Sequence, residues 1–363
     1  MANWRRGLGS LAELRGVTVT DDGKMRSPTS LSDSKLQASR ENAERSKLRV
    51  LALHGGGIHG VTTAAYLADL EKHSDTQVLE HFDLMVGTST GGIIALALSL
   101  GIPASEIEAL YREHGADIFR RRIPLPLPSL IAGFFGPVYD NRSLHHLLED
   151  ILGPNTRLGD AEVPLCIPAI NITAGRNVVF KTRHRQEYER DHELKMWRVA
   201  GATAAAPVYF PPTHIPGRGW FVDGGLWSNA PIEVGIAEGC KLGYSLDQIE
   251  VLSIGTGQRA FCRDGTSHWL LRKARHGAAG WGLDLVDLVM RAQSQRSRNL
   301  ADYLLPDDQL VHVDFPLHDG AGGLDAVGEV DTFADRARTQ AKRNGQSVRR
   351  RFFQSRTAES DNR

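Results

Sequence analysis

Apolar positions along the chain gather into short unbroken runs that end in glycine-rich turns, with amphipathic stretches between them. LRVLAL (48–53) is the first such run and reads as a strand. In the stretch that follows, Val61–Lys72, apolar residues at 61, 64, 65 and 68 share one face of a helix. Phe82–Val86 is a second strand, followed by another glycine turn and the apolar helix Ile93–Leu100. Further strands are predicted at 163–170, 177–181, 219–223 and 249–255, several of them separated by helical stretches. Strands alternating with helices define an α/β fold around a mainly parallel sheet. Apolar runs without polar alternation suit strands covered on both faces.

No repeat and no polar linker divides residues 48–335, which read as one domain. Residues 1–47 are rich in Ser, Asp, Arg and Lys without sustained periodicity and read as a disordered leader. The 336–363 segment reads as a basic C-terminal helix or tail. Two segments break the pattern. FRRRIPLPLPSLIAGFFGP (119–137) cannot be regular helix throughout, because its prolines remove donors and clash. It reads as a lid or membrane-touching flap, or as a crossover packed on the core. Residues 256–280 read as a surface loop.

Composition adds two constraints. With 363 residues, 41% hydrophobic and 24% charged, the chain is neither collagenous nor wholly disordered nor a small disulfide scaffold. Its zero net charge is unevenly spread. Residues 1–47 carry nine Lys/Arg against six Asp/Glu, residues 336–363 nine against two, and the body between them 25 against 35. A basic tail on an acidic body suits an anionic partner such as a lipid surface. Three separated cysteines, Cys166, Cys240 and Cys262, suggest neither a metal site nor a disulfide framework. With no signal-peptide h-region and no apolar run long enough to span a bilayer, the expected setting is cytoplasmic, peripheral at most to the inner membrane face.

The candidate chemistry sits at the glycine turns. Gly55-Gly56-Gly57-Ile58-His59-Gly60 follows the first strand and opens a helix. Read as G-x-G-x-x-G it matches a dinucleotide fingerprint, but no acidic residue stands at a strand end about 20 positions on. The alternative is a loop of free backbone amides that binds a phosphate or a developing oxyanion. Gly87-Thr88-Ser89-Thr90-Gly91 is G-x-S-x-G between a strand and a helix. There a nucleophile occupies a sharp, strained turn, and close backbone approach requires glycine on either side. Ser89 needs a base. None of the 14 histidines is placed to be nominated, but Asp223 ends an apolar strand and is followed by Gly224 and Gly225.

These three blocks, in this order, resemble the signature blocks of the patatin-like phospholipase family. Ala202–Pro212 and Tyr139-Asp140 with Leu144, Leu147, Leu148 and Gly153 resemble its intervening segments. The likeness covers roughly 48–315. It implies a three-layer α/β sandwich and a Ser–Asp dyad, with Ser89 as nucleophile and Asp223 as general base. Gly55, Gly56 and Gly57 would form the oxyanion hole, supported by Gly60, Gly87, Gly91, Gly224 and Gly225. The implied activity is phospholipase A-type hydrolysis of membrane phospholipids, with no cofactor, no metal and no nucleic acid. The chain departs from the family pattern at His54 and His59, where an acidic and a basic residue are usual. His59 is expected to supply a positive charge only when protonated.

The chain also resembles bacterial members of the family that cyclic nucleotides switch on in antiphage defence. Candidate activator contacts are Arg349–Arg351 with Phe352 and Phe353, or Arg183–Arg185 with His184. A homo-oligomer is compatible with the sequence. The competing classes are an oxidoreductase resting on Gly55–Gly60, which leaves Ser89 and Asp223 unexplained, a silent binding module, and acyl transfer to an acceptor other than water.

Overall fold

The structure, a computed structural model, describes residues 47–119, 136–257, 278–317 and 322–354. The expected leader, nearly all of 119–137, most of 256–280, Cys262 and the chain beyond 354 lie outside the described residues. The strands are β1 (Leu48–Leu53), β2 (Leu84–Gly87), β3 (Leu165–Asn171), β4 (Arg176–Lys181), β5 (Thr213–Ile215), β6 (Gly219–Asp223), β7 (Ile249–Ile254) and β8 (Leu310–Val313). They form one sheet in the order β5-β6-β3-β2-β1-β7-β8, with β4 also paired to β3. The run β3-β2-β1-β7-β8 is parallel; β4, β5 and β6 are antiparallel additions. Two strands were not anticipated. β5 and β8 are edge strands of three and four residues, too short for a period-2 pattern to register.

The helices are α1 (Gly60–Ser74), α2 (Thr90–Leu98), α3 (Ala104–Ile118), α4 (Asn141–Leu152), α5 (Met196–Thr203), α6 (Gly225–Ser228), α7 (Ile232–Lys241), α8 (Ala278–Leu304) and α9 (Val330–Phe352). The sheet separates two apolar layers, and β1 shows how. Leu51 and Leu53 point into a core shared with α1–α5 and α9. Val50 and Ala52 point the other way, toward α7 and α8. All six β1 residues are buried, as strands sandwiched between helical layers must be. This is a three-layer α/β sandwich.

The expected boundary at 335/336 falls inside α9. That helix lies along α1, burying Phe333, Ala337, Ala341 and Val348, and ends with Phe352 and Phe353 against Phe82 and His81. Arg49, at the start of β1, donates to the Phe352 carbonyl at 3.3 Å. The basic C-terminal end of α9 therefore sits at the end of the sheet where β1 begins, opposite the end that carries the glycine turns.

Candidate active site

Parallel strands place their C-terminal ends on one edge, and ligands of open α/β sheets gather there. β1 delivers His54–Gly57 to that edge, β2 delivers Ser89 and β7 delivers Thr256. β3 is longer than β2 and overhangs the edge. β6 runs antiparallel along the overhang, with Asp223 opposite Ala169, so its last residue comes down to the level of Ser89.

Ser89 has φ 55° and ψ −126°, the strained conformation expected of a nucleophile turn. Its neighbours explain how the strain is tolerated. A Cβ at Gly87 would collide with the Gly91 carbonyl, and one at Gly91 with the Leu53 carbonyl. The Ser89 amide donates to Thr203 Oγ1 at 2.9 Å, and Thr203 in turn donates to the Pro168 carbonyl at 2.6 Å. Thr88 Oγ1 donates to the Ser228 carbonyl at 2.6 Å, tying the serine turn to the segment after Asp223.

The Ser89 hydroxyl donates to Asp223 Oδ2 at 2.7 Å. The other carboxylate oxygen, Oδ1, accepts the Gly225 amide at 2.7 Å. Burial pushes the Asp223 carboxyl up to about 7; its bonds from Ser89 and Gly225 offset only part of that rise. Ser89 and Asp223 are 5% and 2% exposed, so the hydroxyl is enclosed rather than presented in the open.

The glycine loop divides its labour. The Gly55 amide donates to the Asn229 carbonyl at 3.0 Å, which removes it from the expected set of oxyanion donors. The Gly55 carbonyl accepts from Thr256 Oγ1 at 3.0 Å and Asn229 Nδ2 at 3.4 Å. With Gly55 held on both sides, the amides of Gly56 and Gly57 have no hydrogen-bond partner among the described residues. Gly57 has φ +58°, and a Cβ there would strike the Leu324 carbonyl, so the position needs glycine. Gly60 is crowded by Thr90 Oγ1 and Tyr111, and Gly224 by the Pro168 carbonyl.

His54 and His59 are not cations. Burial depresses His54 to about 3; its Nε2 lies 2.7 Å from Ser253 Oγ, and its ring stacks on His312. Burial depresses His59 to about 4, with its ring edge-on to Phe333. His59 is expected to carry a positive charge only when protonated, near or below pH 6.5; burial moves that protonation down to about pH 4. A cavity of about 570 Å³ adjoins the loop, lined by Gly55, Gly56, Asn229, Thr256 and side chains of α8, but not by Ser89 or Asp223.

Of the two candidate activator contacts, the aromatic platform at Phe352 and Phe353 is corrected, while Arg183 and Arg185 lie in exposed surface ion pairs. Phe352 and Phe353 are buried against His81 and Phe82, Arg349 lies 4.0 Å from Asp69, and Arg351 pairs with Glu250 at 3.5 Å. His184 bonds to Glu238, Arg183 pairs with Glu189, and Arg185 pairs with Glu187. Among the described residues, Cys166, His184 and Glu238 are the group whose donor atoms come within metal-sharing distance. Burial pushes Glu238 up, but bonds from His184, Lys181 and Tyr188 outweigh it and hold the carboxyl at about 2. With the Lys181 ammonium on it, the cluster reads as a buried ion network rather than a cation site.

Thr203, Asn229 and Thr256 were not anticipated. Each is an ordinary polar residue whose role appears only once distant segments meet, and only Thr203 lies in a stretch with a recognisable motif.

A strained serine bonded to a buried, elevated aspartate, beside a glycine turn at the strand edge, is the arrangement of an acyl-transfer enzyme. A family profile described as patatin-like phospholipase matches residues 51–236, and the chain belongs to this family. It is 37% identical over 304 residues to a protein of Pseudomonas aeruginosa named cGAMP-activated phospholipase, covering 81% of this chain and 88% of that one. A protein of the same name from Escherichia coli is 35% identical over 274 residues, 71% and 76% of the two chains. Patatin group J-1 of Solanum tuberosum is 30% identical over 280 residues, 68% and 69%. The protein is a lipid acyl hydrolase, a carboxylic ester hydrolase. No helix among the described residues is long and apolar enough to cross a membrane.

Proposed function

We propose that the protein cleaves fatty acyl esters of glycerophospholipids through a Ser89–Asp223 dyad. The observation that carries this is the 2.7 Å bond from Ser89 Oγ to a carboxylate whose pKa burial has raised to about 7. A general base works best with its pKa near the operating pH, and an unperturbed aspartate at 3.8 would be too weak. Asp223 takes the hydroxyl proton as Ser89 attacks the ester carbonyl. The developing oxyanion is met by the Gly56 and Gly57 amides, each contributing on the order of 3 kcal/mol. The lyso-lipid alkoxide leaves with the proton held by Asp223. Asp223 then takes a proton from water, which attacks the acyl-Ser89 ester; the Ser89–acyl bond breaks, the fatty acid leaves, and the proton returns from Asp223 to Ser89 Oγ.

A second reading adds regulation. The enclosure of Ser89, at 5% exposure, and the two relatives named cGAMP-activated phospholipases both favour activity that is latent until a cyclic nucleotide binds at the cytoplasmic membrane face. The test is fatty acid release from mixed phospholipid vesicles by wild type and Ser89→Ala, with and without a panel of cyclic dinucleotides. Release by wild type alone without additive supports constitutive hydrolysis. Release only with one nucleotide supports the switched enzyme. Equal release by both proteins overturns the dyad.

A further inference from the structure

The overhang that positions Asp223 also creates a surface. Ile172 continues β3 by one residue, and its amide donates to the Trp220 carbonyl at 2.9 Å. His214 on β5 faces Trp220 from the other side, with ring centroids 4.8 Å apart. Residues directly opposite in antiparallel strands share a face, so Ile172, Trp220 and His214 form one cross-strand row. The row lies three residues beyond the Ala169–Asp223 pair, about 10 Å further along the strands than the dyad. Ile172 is 47% and Trp220 49% exposed.

A second element reaches the same end. On α8, Met290 packs against Gly225, Ser294 bonds to Asn229, and Ser297 donates to the Ala230 carbonyl. That order points the N-terminal turns of α8 past the dyad. Leu285, 48% exposed, stands five residues before Met290, about 7 Å further out.

Charge separates this end from the rest of the body. The hairpin segments 172–177 and 211–222 contain no Asp or Glu, in a body where acidic residues outnumber basic ones; of their two arginines, Arg218 is neutralised by Asp191 at 3.0 Å, so the charge this end offers is that of Arg176. Arg176 is exposed, and Arg198 reaches the His214 carbonyl at 2.9 Å. The basic end of α9, the other candidate for a lipid surface, is at the far end of the sheet.

We propose that the Ile172–Trp220–His214 row, with Leu285 and Arg176, is the surface through which the protein docks on an anionic lipid bilayer, turning the dyad toward its substrate. A tryptophan flanked by aliphatic and cationic groups suits the headgroup boundary, where its ring is part apolar and part hydrogen-bonding. The proposal rests on lipid being the substrate, not on which residue is the nucleophile.

The test is co-sedimentation with vesicles of phosphatidylethanolamine and phosphatidylglycerol, in a Ser89→Ala background so that the vesicles stay intact. Ile172→Ser/Trp220→Ser is expected to weaken binding about tenfold or more. Arg176→Gln is expected to weaken it about fivefold, with no effect on phosphatidylcholine vesicles. With Ser89 intact, the double variant should lose hydrolysis of vesicle lipid but keep hydrolysis of a soluble short-chain ester. Unchanged vesicle binding by the double variant overturns the proposal. So does parallel loss of both hydrolytic activities in a folded protein. If Ser89→Ala leaves hydrolysis unaffected, the dyad fails while the docking measurement stands.

Discussion

Ser89 Oγ donates directly to Asp223 Oδ2 across 2.7 Å, and the Gly225 amide fixes the carboxylate from its other oxygen. The Asp223 side chain is therefore locked in rotamer by its own following turn, and the two glycines after it leave room for that contact. A Cβ at Gly225 would press on Met290 and crowd Asp223 Oδ1 itself. The carboxylate is oriented by backbone, and its basicity comes from burial rather than from a further charged partner.

That origin makes the rate pH-dependent in a specific direction. A carboxyl can act as a base only when ionised, and burial raises the Asp223 pKa from 3.8 to about 7. kcat/KM should rise with pH through about 7 and level off above it. Asp223→Asn should lower kcat by about 10²–10⁴-fold and remove that limb. A profile for the wild type that is flat from pH 5 to 9 would sink the assignment.

The same shift costs stability. Unfolded Asp223 ionises near 3.8 while the folded group holds its proton to about 7. Between those values the native state binds more protons, so the stability it contributes falls as pH rises, by about 4 kcal/mol in total. Asp223→Asn keeps the shape, donates to Ser89 and carries no charge to bury. It should melt above the wild type at pH 8 and alongside it below pH 4. Differential scanning fluorimetry at the two pH values checks this; a lower melting temperature at pH 8 refutes it.

Thr203 holds the strained serine by accepting a hydrogen bond from its amide and donating its hydroxyl to the Pro168 carbonyl. Thr203→Val keeps the volume and leaves a buried N–H and C=O unsatisfied, costing roughly 1–3 kcal/mol each. The expected result is a lower melting temperature and a lower kcat with KM little changed. Thr203→Ser should restore both, and a Thr203→Val enzyme with wild-type kcat would show that Thr203 does not position Ser89.

The catalytic strands and turns were legible because each carries its own local signal. β1 and β6 match their apolar runs residue for residue, and the glycines at 87, 91 and 224 are required by backbone contacts that any nucleophile turn must make. What stayed hidden depends on which distant residues meet. Gly55 looks like an oxyanion donor in sequence, yet its amide is consumed by Asn229, 174 positions away. Phe352 and Phe353 look like a ligand platform beside three arginines, yet they fill the base of the core against Phe82. Nothing in a local pattern distinguishes an aromatic side chain that packs inward from one that waits for a ligand.

His59 gives a sharp contrast between sequence and structure. Its place in the glycine loop invites a cationic role, but burial holds its pKa at about 4, so it is neutral across the physiological range. Its effect on the enzyme must therefore be packing against Phe333 and the Gly322 backbone. His59→Gln should lower activity by a constant factor between pH 5 and 8. A ratio to wild type that changes through pH 6–7 would restore the charged reading.

The last expectation concerns where the catalytic unit ends. α9 supplies Phe333, Ala337, Ala341, Val348 and Phe352 to the same core as the catalytic strands, and Tyr66 on α1 donates to Asn344 at 2.9 Å. Ending the chain at 335 would remove most of that helix and uncover the apolar face of α1, including Leu70, which packs beside Gly345. Phe352→Ala alone should cost about 3–5 kcal/mol, because it opens a cavity against the Phe82 ring while leaving the backbone carbonyl that Arg49 bonds in place. The truncated protein should lose its cooperative thermal transition, and Phe352→Ala should lower the melting temperature while leaving the kcat of the remaining folded enzyme unchanged. A protein ending at 335 that melts cooperatively with full esterase activity would place α9 outside the catalytic unit.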